Sequence, residues 1–346
     1  MSGRRIFLDQ GLGEARGVLT VDGAAERLIV QRDGDDPRMS LGARLVAVVA
    51  SLEPALGTAF LDLGAGAQAI LPFKPDARPV GGQVVEVEIR SEPRRGKLPI
   101  ARFVGLAEGK PRLLAGPPSL GEILTALAPE AELVTGRAAR AVADEAEAEA
   151  IEVLHRLPGG GALAIEPTRA LTAIDVDLGD RKGTDPKRIT RAANLAAIAL
   201  SARLLRLKGL GGIIAIDLVG RGHDAKILLA AARTAFAADN PGVAIEPINR
   251  FGLLQLSLPR RTRPLIEILC QEDGAVSDRS LAQRLLRRLE AEAQAQPGAR
   301  LIARCAPAVA ASAAPLTRLL LERVGARFTI EPDPAIARER FDIAAR

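Results

Sequence analysis

Residues 171–219 read LTAIDVDLGDRKGTDPKRITRAANLAAIALSARLLRLKGLGGIIAIDLV, and the fold turns on this stretch. Two apolar, β-branched runs, LTAIDVD (171–177) and GGIIAIDLV (211–219), each carry an acidic residue late in an otherwise hydrophobic strand pattern. Between them, residues 189–207 repeat apolar side chains at helical spacing, closed by Lys208 and then Gly209, Gly211 and Gly212. The unit is strand, helix, strand, and such a crossover makes the two strands parallel. If they are neighbours, about 4.8 Å apart, Asp175 and Asp217 lie near the carboxyl ends of adjacent strands, where open α/β sheets place ligands. Asp177 shares a face with Asp175, because strand side chains alternate.

Two or three carboxylates gathered in this way cost several kcal/mol unless a cation or base neutralises them. Magnesium suits the set, since Mg²⁺ takes one or two carboxylates and completes its octahedron with water and substrate phosphates, as in phosphodiester cleavage. A strand-end aspartate that caps the following loop is the other reading of the same spacing.

The 346 residues suffice for two or three domains, and 48% of them are hydrophobic, as in a globular protein. No apolar run approaches the roughly 20 residues of a membrane span, and MSGRRIFLDQ lacks the apolar stretch of a secretion signal, so a cytoplasmic location is expected. Cys270 and Cys305 are the only cysteines and His155 and His223 the only histidines, which excludes a disulfide framework or a zinc finger. Only seven of the 47 basic residues are lysine, the net charge is +5 and the pI about 9.7. Such a balance suits an anionic partner such as nucleic acid, or else reflects an Arg- and Ala-rich base composition. With no Trp or Tyr, the eight Phe are the only aromatic platforms for a base.

Taken in order, residues 4–32 alternate as three short strands, RIFLDQ, ARGVLTVD and ERLIVQR. GLGEARG (11–17) opens no helix and is a hairpin turn rather than a phosphate loop. Residues 41–106 supply five further short strands with Gly and Pro turns, the pattern of a small closed barrel of the OB type that binds single-stranded nucleic acid on one face. Phe60, Phe73 and Phe103, with Lys74, Arg94, Arg95 and Lys97, are the candidates for stacking and phosphate contacts there, and at least one Phe is expected in the core.

At this point SLEPALGTAFLDLGAGAQAILPFKP (51–75) resembles the RNA-binding barrel of the ribonuclease E/G family. LTAIDVD and GGIIAIDL resemble its catalytic strands, and NRFGLLQLS (249–257) the strand that follows. The resemblance implies that Asp175 and Asp217 bind Mg²⁺. An Asn is usual in the family where this chain has Asp177, and a Glu where it has Arg169; an aspartate at 177 still offers an oxygen to the metal or to its water. Arg250 follows the strand expected at 243–248, and a guanidinium fork there matches a scissile phosphate. His223 is expected to be a cap or surface residue.

The same resemblance implies an α/β multi-domain fold. Residues 1–40 with 117–160 would form a ribonuclease H-like half into which the 41–106 barrel is inserted, and the Glu/Ala run at 141–157 is a solvated helix face. Residues 161–258 would form a deoxyribonuclease I-like catalytic α/β subdomain, continuing through a helix at 222–239. At 259–275, where the family usually carries a paired-cysteine zinc link, only Cys270 remains, too few ligands for structural zinc. Any homo-oligomer is therefore expected to form without a zinc link. Residues 276–346, with a helix at 280–294 and strands at 300–304 and 327–331, would make a small α/β domain that buries Cys305.

The expected activity is a Mg²⁺-dependent endoribonuclease acting on single-stranded RNA in processing or decay, with a metal-bound water as nucleophile. Its rival is a weak or inactive RNA-binding protein that kept the fold, motivated by Arg169, Asp177 and the missing cysteine pair. An unrelated phosphohydrolase for small phosphates would have no use for the barrel. Between the barrel and residue 120 the chain is too short to fold a pocket of its own, so no sensor of the RNA 5′ end is expected, although Lys110 and Arg112 place two cations there.

Overall fold

The computed structural model describes residues 3–220 and 224–346. Strands β1 (Arg4–Gln10), β2 (Glu14–Val21) and β3 (Ala24–Arg32) form an antiparallel meander. The next five strands close on themselves: β4 (Arg44–Glu53), β5 (Thr58–Gly64), β6 (Ala67–Pro72), β7 (Val84–Ser91) and β8 (Ile100–Leu106). Their order is β5-β6-β8-β7-β4, and β4 pairs back onto β5 to complete a barrel of the OB kind. Strict alternation sends Leu45, Ala47, Val49, Leu61, Leu63, Val85, Val87 and Ile89 into its interior. The stretch beyond β8 is not structureless: β9 (Arg112–Ala115) pairs with β4, because extended chain gains backbone hydrogen bonds along the exposed side of β4.

After the barrel, α1 (Leu120–Leu127) starts at a capping box in which Ser119 and Glu122 satisfy each other's backbone donors. Strand β10 (Leu133–Thr135) runs parallel to β1 and leads into α2 (Gly136–Ile151). The sheet β10-β1-β2-β3 is covered by both helices, α1 packing on Ile6, Leu8 and Leu19, and α2 lying with Phe7, Val18 and Leu28 in the central core.

The second large sheet has the order β11-β12-β13-β14-β16-β15. Its members are β11 (Leu154–Arg156), β12 (Ala162–Pro167), β13 (Thr172–Asp177), β14 (Gly212–Asp217), β15 (Ala244–Ile245) and β16 (Leu253–Leu258). Helix α3 (Pro186–Leu207) makes the crossover between β13 and β14, the only parallel pair in this sheet. Helix α4 (Ala225–Ala235) follows β14, and the strand expected over 243–248 shortens to two residues. His223 lies outside the described residues.

Beyond the sheet, α5 (Leu265–Leu269) and the adjoining Cys270 pack into the central core, so residues 259–275 are anchored by buried apolar side chains. Helix α6 (Asp278–Ala295), β17 (Leu301–Cys305), α7 (Pro307–Ala313), α8 (Thr317–Val324), β18 (Phe328–Pro332) and β19 (Phe341–Ala345) build the last unit. Its sheet is β18-β17-β19; β19 has the same alternation as its neighbours but was not expected from sequence. Cys305 is buried in its core. No helix among the described residues is long and apolar enough to cross a membrane.

The acidic run of α2 leaves Asp144 and Glu145 exposed, as a solvated face would, with Glu147 as the exception. Glu147 is only 2% exposed and accepts from Arg16, Arg284 and Arg287 at 2.8–3.1 Å. Arg16, 1% exposed, also engages Asp9, and Arg287 reaches Glu14, which in turn holds Arg32. Buried charge is tolerated because every carboxylate finds a guanidinium, so the network ties β1, β2, β3, α2 and α6 into one arrangement. Lys208 does more than close α3: its buried ammonium donates to the carbonyls of Glu149, Ala150 and Glu152 at the end of α2. Desolvation brings its pKa down to about 8.

Candidate active site and nucleic-acid interface

The large sheet has two unlike faces. Ile174, Val176, Ile214, Ile216, Leu254 and Leu256 alternate onto the side covered by α3 and α4. The opposite side carries Ala164, Asp175, Asp177, Ile213, Asp217, Gln255 and Ser257, all exposed or half-exposed. The carboxylates therefore stand on an open sheet face. The end-of-strand crevice of a doubly wound sheet does not apply here, since all strand pairs but one are antiparallel.

Asp175 and Asp217 are direct register partners across the parallel pair, which puts their backbones about 4.8 Å apart with side chains on one face. Among the described residues neither enters an ion pair, whereas Asp177 accepts a hydrogen bond from the Gly179 N–H at 3.0 Å and so caps its own loop. No cluster of three or more Asp, Glu, His or Cys side chains suited to a metal occurs among the described residues. What remains is an exposed carboxylate pair, a donor set that fits Mg²⁺ with water and phosphate oxygens completing its shell. Arg169 sits in the Thr168–Leu171 turn ahead of β13, about 10 Å of strand before Asp175 and away from the Asp177 end.

The end of β14 is held by a residue that the sequence reading passed over. Asn194, on the buried side of α3 and 1% exposed, donates to the Val219 carbonyl at 3.0 Å and accepts from the Val219 N–H at 3.1 Å. Asparagine amid the apolar face of RAANLAAIAL was the available signal. The contact is close: a Cβ on Gly220, whose φ is +86°, would meet Thr190 Cγ2 at 2.6 Å. Helix α3 is itself fixed at its start by Asp185, which accepts from the Lys187 and Arg188 N–H groups, with Pro186 in the first turn.

Arg250 lies in a turn at the same end of the sheet. The Asn249 side chain accepts from the N–H groups of Phe251 (2.9 Å) and Leu253 (3.1 Å), and Leu253 is the register partner of Asp217. The Leu218 N–H donates to the Gly252 carbonyl at 3.4 Å, tying this turn to β14. Arg250 is exposed, and its guanidinium carbon stands 4.9 Å from the centroid of the Phe251 ring.

The barrel candidates divide into two groups. Phe60 is half-exposed on the outer surface of β5, in register with Ile70 of β6, which pairs with Ile100 of β8. Phe103 is 45% exposed, Lys74 is exposed, and Phe73 packs against the barrel core. Arg94, Arg95 and Lys97 belong to a separate hairpin that docks on the segment after β16: the Arg95 N–H donates to Glu267, and Glu92 joins Arg261 and Arg263. Burial there, and then Arg260, lower the Arg94 pKa. This contact lies beyond Leu258, at the end of β16 opposite to Asp217, roughly 20 Å along the strand.

Two cysteines sit apart, Cys270 in the central core and Cys305 in the last unit, and burial raises both thiol pKa values.

Fold and site together define a class: a mixed α/β protein that joins an OB-like barrel to a sheet bearing a paired-carboxylate face. The sequence model described as the Ribonuclease E/G family matches residues 131–261 of this chain. The match runs from just before β10 to just past the large sheet, the part that carries Asp175, Asp217 and Arg250. The chain is 38% identical over 149 residues to Ribonuclease E of Haemophilus influenzae, covering 40% of this chain and 16% of that protein. It is 36% identical over 148 residues to Ribonuclease E of Escherichia coli, covering 40% and 14%. A Ribonuclease E/G-like chloroplastic protein of Arabidopsis thaliana is 31% identical over 121 residues, covering 34% and 12%. The matched stretch thus spans less than a fifth of each of these relatives.

Proposed function

We propose that this protein is a Mg²⁺-dependent endoribonuclease that cuts single-stranded RNA internally, in RNA processing or decay. The observation that carries this reading is the register pairing of Asp175 with Asp217 on an exposed sheet face, beside the turn that presents Arg250. Those two carboxylates would hold the metal, which when bound supplies an activated water and charge stabilisation at the phosphate. Asp177 would keep the β13 loop in place and offer an oxygen to that water. Arg250 would hold the phosphate between its guanidinium nitrogens.

The barrel would bind the strand through Phe60, Phe73, Phe103 and Lys74, with Arg94, Arg95 and Lys97 contacting backbone further along. In domain terms, residues 1–40 with 117–160 would be the ribonuclease H-like half, 41–106 the inserted barrel, 161–258 the deoxyribonuclease I-like subdomain and 276–346 the last α/β unit. Residues 259–275 would stand in place of a zinc link without binding zinc, any oligomer of copies forming by other contacts. Two buried, unbridged cysteines suit the reducing cytoplasm, where RNA is also found.

The test is incubation of the full chain with an unstructured RNA, with Mg²⁺ and with chelator. Internal fragments that require Mg²⁺ are expected. RNA binding without fragments would replace this reading with a non-catalytic RNA-binding protein.

A further inference from the structure

We infer that Phe251 is a stacking platform for a nucleotide base beside the cut bond; this rests on the RNA-cleaving reading above. Of the eight Phe, only Phe103 and Phe251 are exposed, and Phe251, at 71%, is the more open. A single exposed apolar side chain is ordinary on a protein surface. This one differs in how it is held and where.

Its backbone is fixed on both sides. Asn249 Oδ1 accepts from the Phe251 and Leu253 N–H groups, the Asn249 N–H donates to the Leu253 carbonyl at 3.1 Å, and the Gly252 N–H donates to the Asn249 carbonyl at 3.0 Å. Gly252, at φ +89°, permits the tight return into β16. A ring displayed on so constrained a turn loses little conformational freedom on binding, which favours recognition over packing.

The ring is also near the chemistry. Phe251 precedes by two residues the register partner of Asp217, roughly 7 Å of chain. The Arg250 guanidinium, 4.9 Å from the ring centroid, lies against the ring. With the side chain 71% exposed among the described residues, the ring would offer its π-surface to a base, while Arg250 keeps donors for phosphate. Stacking uses no hydrogen-bond pattern, so any base is accepted, with purines held more tightly for their larger surface.

The chain contains no tryptophan, so Phe251→Trp introduces a single indole at this position. The full-length variant is titrated in chelator with a single-stranded oligoribonucleotide of about ten nucleotides, and with a series carrying one abasic position each. Quenching on binding is expected, lost for one abasic position and kept for the others. Phe251→Ala is expected to lower kcat/KM on the same RNA about five- to a hundredfold with unchanged thermal unfolding, while Phe251→Trp keeps near wild-type rates. If wild type cuts RNA while Phe251→Ala matches it and the indole is not quenched, the stacking role is overturned and the nuclease reading stands. An emission maximum that shifts with protein concentration in the absence of RNA would assign the ring to contact between copies and likewise overturn the role. A wild type that neither binds nor cuts RNA would remove the nuclease reading itself, and the inference with it.

Discussion

The Asn194 side-chain amide closes both a donor and an acceptor bond on the backbone of Val219, two residues beyond Asp217. Helix α3 is thereby clamped to the strand end that carries a candidate metal ligand. Replacing this amide by a shape-similar leucine leaves the half-buried Val219 N–H and carbonyl without this partner, at a cost of about 1–2 kcal/mol. Asn194→Leu should lower kcat with little change in KM, because a loosened strand end misplaces Asp217 without touching the barrel. Steady-state kinetics beside thermal unfolding measures both effects; full activity would show that the clamp has no bearing on the site.

Asp175→Asn and Asp217→Asn are each expected to abolish cleavage while leaving RNA affinity within a few-fold of wild type. Both side chains are exposed, so neither change opens a cavity, and the folded state should persist. Cleavage rates and filter binding on one RNA separate the two quantities, and a mutant cutting at wild-type rate would remove that carboxylate from the mechanism.

RNA affinity should fall steeply with salt, since phosphate contacts by a chain of net charge +5 release counterions. Phe60, half-exposed on the barrel's outer surface, should lose about 1–3 kcal/mol of binding as Phe60→Ala, with stability nearly unchanged. The outcome against this is the reverse: binding retained and the unfolding midpoint lowered.

Acid should unfold the protein through Glu147. Burial alone would raise that carboxyl, but Arg287, Arg16 and Arg284 together hold it at about 2. A folded-state pKa below the unfolded value gives stability that is present above about pH 4.5 and lost as the pH falls toward 2. Glu147→Gln should cost about 1–3 kcal/mol at neutral pH by removing the charge that Arg16, Arg284 and Arg287 share, Arg16 keeping Asp9 and Arg287 keeping Glu14, and should flatten stability across that acid window. Denaturant titrations of both proteins between pH 7 and 3 would reveal it; parallel curves would place the acid response elsewhere.

Cleavage should be indifferent to the RNA 5′ end. The Arg112 guanidinium is engaged by the carbonyls of Glu108 and Lys110 in its own loop, and β9 ties the rest of this connection to the barrel. One RNA prepared with 5′ hydroxyl, monophosphate and triphosphate should give equal initial rates; a monophosphate preference of about tenfold, some 1.4 kcal/mol, would reveal a sensor.

Local sequence determined the strand-helix-strand unit around Asp175 and Asp217, the alternating strands of the barrel and the lack of paired cysteines, because periodicity and spacing act within a few residues. The burial of Glu147 within the otherwise solvated acidic run of α2 depended on Arg16, which meets it across 131 residues. The same holds for the Asn194 clamp, for the hairpin of Arg94 and Arg95 docked on the segment after β16, and for the turn of Phe251 at the Asp217 end of the sheet. Such arrangements exist only once distant segments are packed, since whether a charge, an amide or a ring is buried or displayed is set by its neighbours in space, which chain order does not specify.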